Sequence, residues 1–209
     1  MKVLVTGFEP FDGATANESW EAVRCLEDRW TAAGHAEELV AARLPVTFAG
    51  APARLRELLG EHAPQVVVCV GLAAGSGALR LERVAVNVAD ARIPDNAGRS
   101  PVDEPVVDGG PVAYLSSLPL KAALASVRAT GIPAAVSNTA GTYVCNATFY
   151  ALAHALAASH ARAGFVHVPA ADVLPAAESA RALAAVVRTA LDHRAGRIDD
   201  LVLAAGTEH

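Results

Sequence analysis

Three side chains, far apart in the sequence, have the types needed for thiol-based acyl transfer: Cys145, His167 and Glu82. Cys145 follows a turn-forming stretch, 138–144, and precedes Asn146-Ala147-Thr148-Phe149-Tyr150-Ala151-Leu152, which reads as the start of a helix. A strand–turn–helix placement puts the sulfur at the carboxyl edge of a sheet, where open α/β folds bind ligands. A helix N-terminus also favours the thiolate, the attacking species. The same junction can simply house a small residue. His167 closes the apolar run Gly164-Phe165-Val166-His167-Val168-Pro169, which brings the imidazole to the same edge; a satisfied core histidine is the alternative. A thiol nucleophile needs a base within hydrogen-bond reach and a third group that fixes the imidazole tautomer. Glu82 lies mid-way along an apolar and cationic segment, 79–87, where a buried acid needs a partner. That partner is either the histidine or a neighbouring arginine, Arg80 or Arg83.

The remaining candidates read as structural. Cys25 falls inside a predicted helix and Cys69 inside the most apolar strand, the usual setting of a packed free thiol. Three cysteines without C-x-x-C spacing argue against a disulfide framework and a structural zinc site. His35, His62, His154, His160, His193 and His209 lie in helices, near their ends or in the tail, and read as surface residues. The run Gly71-Leu72-Ala73-Ala74-Gly75-Ser76-Gly77 is rich in glycine but lacks the Gly-Lys-Ser/Thr ending of a phosphate loop.

Short apolar runs alternate with alanine-rich amphipathic stretches. The pattern predicts strands at 2–6, 37–44, 65–71, 79–88, 133–137 and 163–168. It predicts helices at 17–33, 48–62, 119–130, 145–159 and 176–194. Asn17 is suited to cap the first helix, with Glu18 and Glu21 in its first turn. Residues 65–71 form a continuous apolar run, as expected of a strand covered on both faces. The stretch 89–118 is rich in Pro, Gly, Asp and Asn and lacks periodicity; a loop that long in a compact domain is usually functional or disordered. This alternation implies a single-domain α/β/α sandwich with a mostly parallel twisted sheet over 1–195, followed by a tail, 196–209, of unknown role.

Composition narrows the function classes. A net charge of −5 with scattered Arg and Lys gives no basic patch for nucleic acid. Apolar residues make up 53% of the chain, yet no run reaches the ~18 uninterrupted apolar residues of a membrane span. The first apolar run stops at Thr6-Gly7 and reads as a strand, not a signal peptide, so the expected location is cytoplasmic.

Four ordered blocks make the chain similar to pyroglutamyl peptidase type I, the pyrrolidone-carboxylate peptidases. They are Thr6-Gly7-Phe8-Glu9-Pro10-Phe11-Asp12-Gly13, with Asn17, Ser19 and Trp20 following; 81–88 running on through Asp90-Ala91-Arg92-Ile93-Pro94-Asp95-Asn96; 137–146; and 164–169. The resemblance covers residues 1 to about 192. It implies a cysteine peptidase that removes pyroglutamate from peptide N-termini, on a fold related to nucleoside phosphorylases. It implies Cys145 as nucleophile, His167 as base, Glu82 as the orienting acid and Arg92 as an oxyanion donor. It also implies no metal or organic cofactor, and a homodimer or homotetramer.

The substrate end group is a small, flat, uncharged lactam, best read by apolar walls and one or two amide-like partners. Aromatic residues are only 5% of the chain, yet Phe8 and Phe11 share one loop, and the resemblance sets both against the lactam ring. It adds Tyr143, Val144 and Asn17, although Asn17 equally suits a helix cap. One departure stands out: after Gly71 many bacterial relatives carry Gln, and this chain carries Leu72. Losing one neutral hydrogen bond there weakens affinity about tenfold at most. Two rival readings are a catalytically dead binder of acylated N-termini and a nucleoside-phosphorylase-like enzyme.

Overall fold

Side-chain alternation along the central strands separates two cores. The computed structural model describes residues 1–206. In β1 (Lys2–Phe8), Val3 and Val5 face one side and Leu4 the other. In β3 (Val66–Leu72, numbered in chain order), Val66, Val68 and Val70 share the first side, Val67 and Cys69 the second. All of these are fully buried, as the continuous apolar run requires. The first core lies under α1 (Glu18–Ala32), α3 (Leu120–Ala129) and α5 (Ala176–Arg194). The second lies under α2 (Gly50–His62) and α4 (Val144–Ala155). The expected three-layer α/β/α arrangement is therefore the observed one.

With β2 (Glu38–Leu44), β4 (Leu79–Glu82), β7 (Ala134–Ser137) and β8 (Arg162–Val168), the sheet runs in the order β2-β1-β3-β8-β4-β7. Four of its five ladders are parallel; β4 pairs antiparallel with β8, so β4 and β7 run against the other four. The strand expected at 79–88 breaks at Arg83. Its second half becomes β5 (Val84–Val86), which pairs with β6 (Ala113–Leu115) in a separate two-stranded sheet. The break has a backbone cause: Arg83 N–H donates to Ser137 O at 2.8 Å, while its carbonyl accepts from Ser116 N at 2.9 Å. One residue thus serves two sheets. Helix α4 stops at Ala155, short of the expected 159, in a turn closed by Ser159 N–H on Leu156 O.

Glycine permits one close approach in this frame. A Cβ on Gly7 would meet the backbone of Trp20 at 2.7 Å, so the start of α1 can press onto β1 only because no side chain is there. Beyond α5, residues 196–206 turn back onto the domain. Asp200 Oδ1 accepts from the amides of Lys121 and Ala122 at 3.0 and 2.8 Å, capping α3, and Ala205 O accepts from Lys121 Nζ and from Arg83. Residues 207–209 of the expected tail, His209 included, lie outside the described residues. Among the described residues no helix is long and apolar enough to cross a membrane.

Candidate active site

The antiparallel pairing of β4 on β8 puts the acid beside the base. Glu82 faces Phe165 in register, and neighbouring strand residues in register point to the same side. His167, two residues on, shares that side, and so does Gly71, its partner on β3. His167 Nδ1 and Glu82 Oε1 are 2.8 Å apart, and Glu82 is fully buried. Glu82 Oε2 has no hydrogen-bond partner among the described residues. Neither neighbouring arginine pairs with Glu82: Arg80 Nε donates to Ser76 Oγ, and Arg83 holds Asn138 and the Ala205 carbonyl. The buried carboxylate therefore has the imidazole as its ion partner.

Cys145 comes from the opposite direction. It is the second residue of α4, half-buried, and its sulfur lies 2.9 Å from where a Cβ of Gly71 would stand. The strand–turn–helix reading places the thiol at the carboxyl end of its own strand, but β7 runs against β3 and β8 and lies three strands from β3. At ~4.8 Å per strand that is roughly 14 Å. Residues 138–143 thus carry the chain across β4 and β8, and the sulfur comes to rest over the carboxyl end of β3. Asn146, fully buried, fastens this crossing: its side chain accepts from Val86 N and donates to Val86 O and Val88 O, at 2.9–3.0 Å.

His167 thus lies between two acids. Burial disfavours its charged form, but hydrogen bonds from the ring to the Cys145 sulfur and to Glu82, with the charges behind them, outweigh that and raise it from 6.5 to about 9. With Nδ1 engaged by Glu82, Nε2 is the nitrogen left for the sulfur. The Phe165 ring packs 4.9 Å from the imidazole and closes one side of it. Cys69 lies deeper on the same face; burial pushes its thiol up to about 12, which leaves it protonated and inert.

Cys145 and His167 open onto a cavity of about 170 Å³. This is smaller than the roughly 300–1,000 Å³ of sites for drug-sized ligands and suits a single small ring. Phe8, Phe11, Leu72, Tyr143 and Val144 all line it, as does Asn17. Tyr143 packs between Phe11 (6.3 Å between centroids) and Phe48 (5.3 Å, edge-on). Asn17 has its polar atoms committed elsewhere: Oδ1 accepts from the Ser19 amide and hydroxyl, and Nδ2 donates to Glu9 O. It is the helix cap that the sequence allows, with one face toward the cavity. Arg92 is exposed and does not line the cavity. Its loop is tied to the nucleophile segment by Asp90 N–H on Thr142 O and Thr142 Oγ1 on Asp90 O. Among the described residues no group of three or more His, Cys, Asp or Glu is placed to hold a metal ion.

The sequence model of the pyroglutamyl peptidase family matches residues 1–188. The chain belongs to the pyroglutamyl peptidase family. A pyrrolidone-carboxylate peptidase of Clavibacter michiganensis subsp. michiganensis is 60% identical over 168 residues, which is 80% of this chain and 78% of the relative. One from Pseudomonas fluorescens (strain SBW25) is 53% identical over 167 residues, 80% of this chain and 78% of the relative. Among solved structures, pyroglutamyl peptidase I of Bacillus amyloliquefaciens has a TM-score of 0.88 at 41% identity, covering 96% of this chain and 99% of that one. The pyrrolidone carboxyl peptidase of Thermococcus litoralis has a TM-score of 0.90 at 32% identity, covering 97% and 99%.

Two cavity residues of this pyroglutamyl peptidase family member escaped the sequence reading: Val46 and Ala140. Val46 had a usable signal, since it follows the end of β2 at the edge where ligands bind. Ala140 had none beyond its place in the loop before the nucleophile.

Proposed function

We propose that this chain hydrolyses the pyroglutamyl residue from peptide N-termini through a thioester, with Cys145 as nucleophile, His167 as base and then acid, and Glu82 as the group that orients the imidazole. One observation carries the reading: a single imidazole, bonded to a buried carboxylate, shares the mouth of a small apolar cavity with the Cys145 thiol. The imidazole takes the thiol proton, which leaves thiolate and imidazolium. The thiolate attacks the carbonyl that joins pyroglutamate to the next residue. The N–H groups of the first turn of α4 have no intrahelical acceptor and stand beside the sulfur, ready to hold the oxyanion. Arg92, on the loop fastened to Thr142, is proposed as a second donor. His167 gives its proton to the departing amine, then draws one from the water that cleaves the acyl-enzyme.

The walls explain the selectivity. A lactam carries no charge and needs none opposite it, and the cavity offers aromatic and aliphatic surfaces. Leu72 adds a further apolar wall where a glutamine would add a hydrogen bond. We further infer that residues 1–195 act as one unit with an appended tail, working in the cytoplasm as a homodimer or homotetramer. The family resemblance supports this.

The test is hydrolysis of a pyroglutamyl fluorogenic amide beside its alanyl and prolyl counterparts. Only the first is expected to turn over, and equal turnover of all three refutes the specificity. Cys145→Ala should lower kcat by about four orders of magnitude or more, since triad members act as a unit. A pyroglutamyl chloromethyl ketone should add its mass at Cys145; binding without this adduct would favour a dead binder, and phosphate dependence a phosphorylase.

A further inference from the structure

The segment 94–96 contributes no side chain to the cavity lining, yet it bonds to each of the three loops that wall it. The first loop, after β1, carries Phe11, with Phe8 at the end of the strand. The second, after β2, carries Val46, and Phe48 behind Tyr143. The third carries Tyr143 itself. Asn96 Nδ2 donates to Glu9 Oε1 at 2.9 Å and to Pro10 O at 3.0 Å, which fastens the first loop. Asn96 N–H donates to Val46 O at 3.0 Å, and Asp95 Oδ2 accepts from Phe48 N–H at 2.9 Å, which fastens the second. The Tyr143 hydroxyl donates to Pro94 O at 2.9 Å, which fastens the third. Glu9 completes the circuit: the Oε1 that Asn96 reaches also accepts from Val46 N–H at 3.1 Å.

We propose that Asn96 and Glu9 are positioning residues for the lactam pocket: their side chains clasp the loops bearing Phe11 and Val46 to each other. The inference rests on the pyroglutamyl reading of the cavity and goes beyond it, because neither side chain touches the ring. A flat ring packed between opposed walls loses contact quickly when the walls part, since a radial gap of ~0.5–1 Å forfeits a quarter to a half of a dispersion contact. The thiol, imidazole and carboxylate sit on α4, β8 and β4, outside the Asn96–Glu9 clasp. Opening the clasp should therefore weaken binding and leave the attack alone.

Asn96→Asp removes the donor and sets a carboxylate against Glu9. It should raise KM for the pyroglutamyl amide about 5- to 10-fold with kcat within twofold, the size expected for one lost hydrogen bond at the pocket rim. The inhibition constant of 2-pyrrolidone, the bare lactam, should rise in parallel. Alkylation of Cys145 by iodoacetamide, which does not use the pocket, should keep the parent rate. Adding Glu9→Gln to Asn96→Asp removes the like-charge contact and should recover part of the lost affinity. Asn96→Ala, which adds no charge, reads the same constants if the first variant folds poorly. Unchanged KM and inhibition constants, or a fall in kcat with slowed alkylation, overturn the proposal. A parent enzyme inert on the pyroglutamyl amide sinks the functional reading instead, so the two outcomes are distinct.

Discussion

Glu82→Gln isolates what the buried carboxylate does for the imidazole. The change keeps the shape of the side chain and removes its charge, at a position fully shielded from water. The rise of His167 from 6.5 to about 9 is worth ~3 kcal/mol in favour of the imidazolium. The sulfur and the carboxylate share that stabilisation against burial, so removing the carboxylate's charge lowers the charged population of the ring. A second loss comes from the tautomer. A glutamine can turn its NH₂ toward Nδ1, which shifts the ring proton to Nε2 and leaves no acceptor for the thiol. Together these place kcat for Glu82→Gln about 10²- to 10³-fold below the parent. Two pH series check it: kcat on the pyroglutamyl amide, and the alkylation rate of Cys145, which follows the thiolate. In the parent the imidazolium survives up to about pH 9, so the alkaline decline of kcat begins there. In the variant it should begin at lower pH. Superimposable alkylation profiles, with kcat within threefold, would refute the role given to Glu82.

Two further substitutions test the frame around the triad. Gly71→Ala places a methyl 2.9 Å from both the Cys145 sulfur and the Phe165 ring; it should cost ~1–3 kcal/mol of stability by overpacking and lower kcat by at least about tenfold by displacing the sulfur. A variant with parent kcat would show that the sulfur's seat over β3 is not required. Asp95 is held below its ordinary 3.8; burial works against this, but the amides of Phe48, Arg99 and Ala97 outweigh it. A depressed carboxyl stabilises the fold above its ordinary range, and that contribution is lost as pH falls through the lowered value. Asp95→Asn should therefore cost about 2 kcal/mol at pH 7, with the gap between the two proteins closing below about pH 4. Urea melts across that range measure it, and a gap independent of pH would contradict the assignment.

What the sequence revealed and what it hid follow one division. Elements governed by local pattern were legible: the apolar run at 66–72, the Asn17 cap and the long α5 sit within a residue or two of expectation. The four family blocks carried Cys145, His167, Glu82 and most of the cavity wall. Strand direction was hidden, because period-2 alternation looks the same in parallel and antiparallel strands. Hence nothing at 79–82 or 134–137 announced that β4 and β7 run against β8, or that the sulfur sits three strands from its own strand. The break at Arg83 was hidden for a similar reason, since its cause is a pair of backbone bonds to residues 137 and 116. Val46 joins the cavity through tertiary placement rather than through any motif.

The antiparallel ladder between β4 and β8 has a bearing on wear. Base and acid belong to adjoining strands, so their spacing is a property of the sheet and persists as long as the sheet does. The sulfur arrives on a crossing segment held by one buried amide, Asn146, by the paired bonds of Thr142 and Asp90, and by Tyr143 packed between Phe11 and Phe48. Gentle heating should then silence the enzyme while the histidine and its carboxylate are still joined, and cooling should return it by letting a single helix end settle back into place.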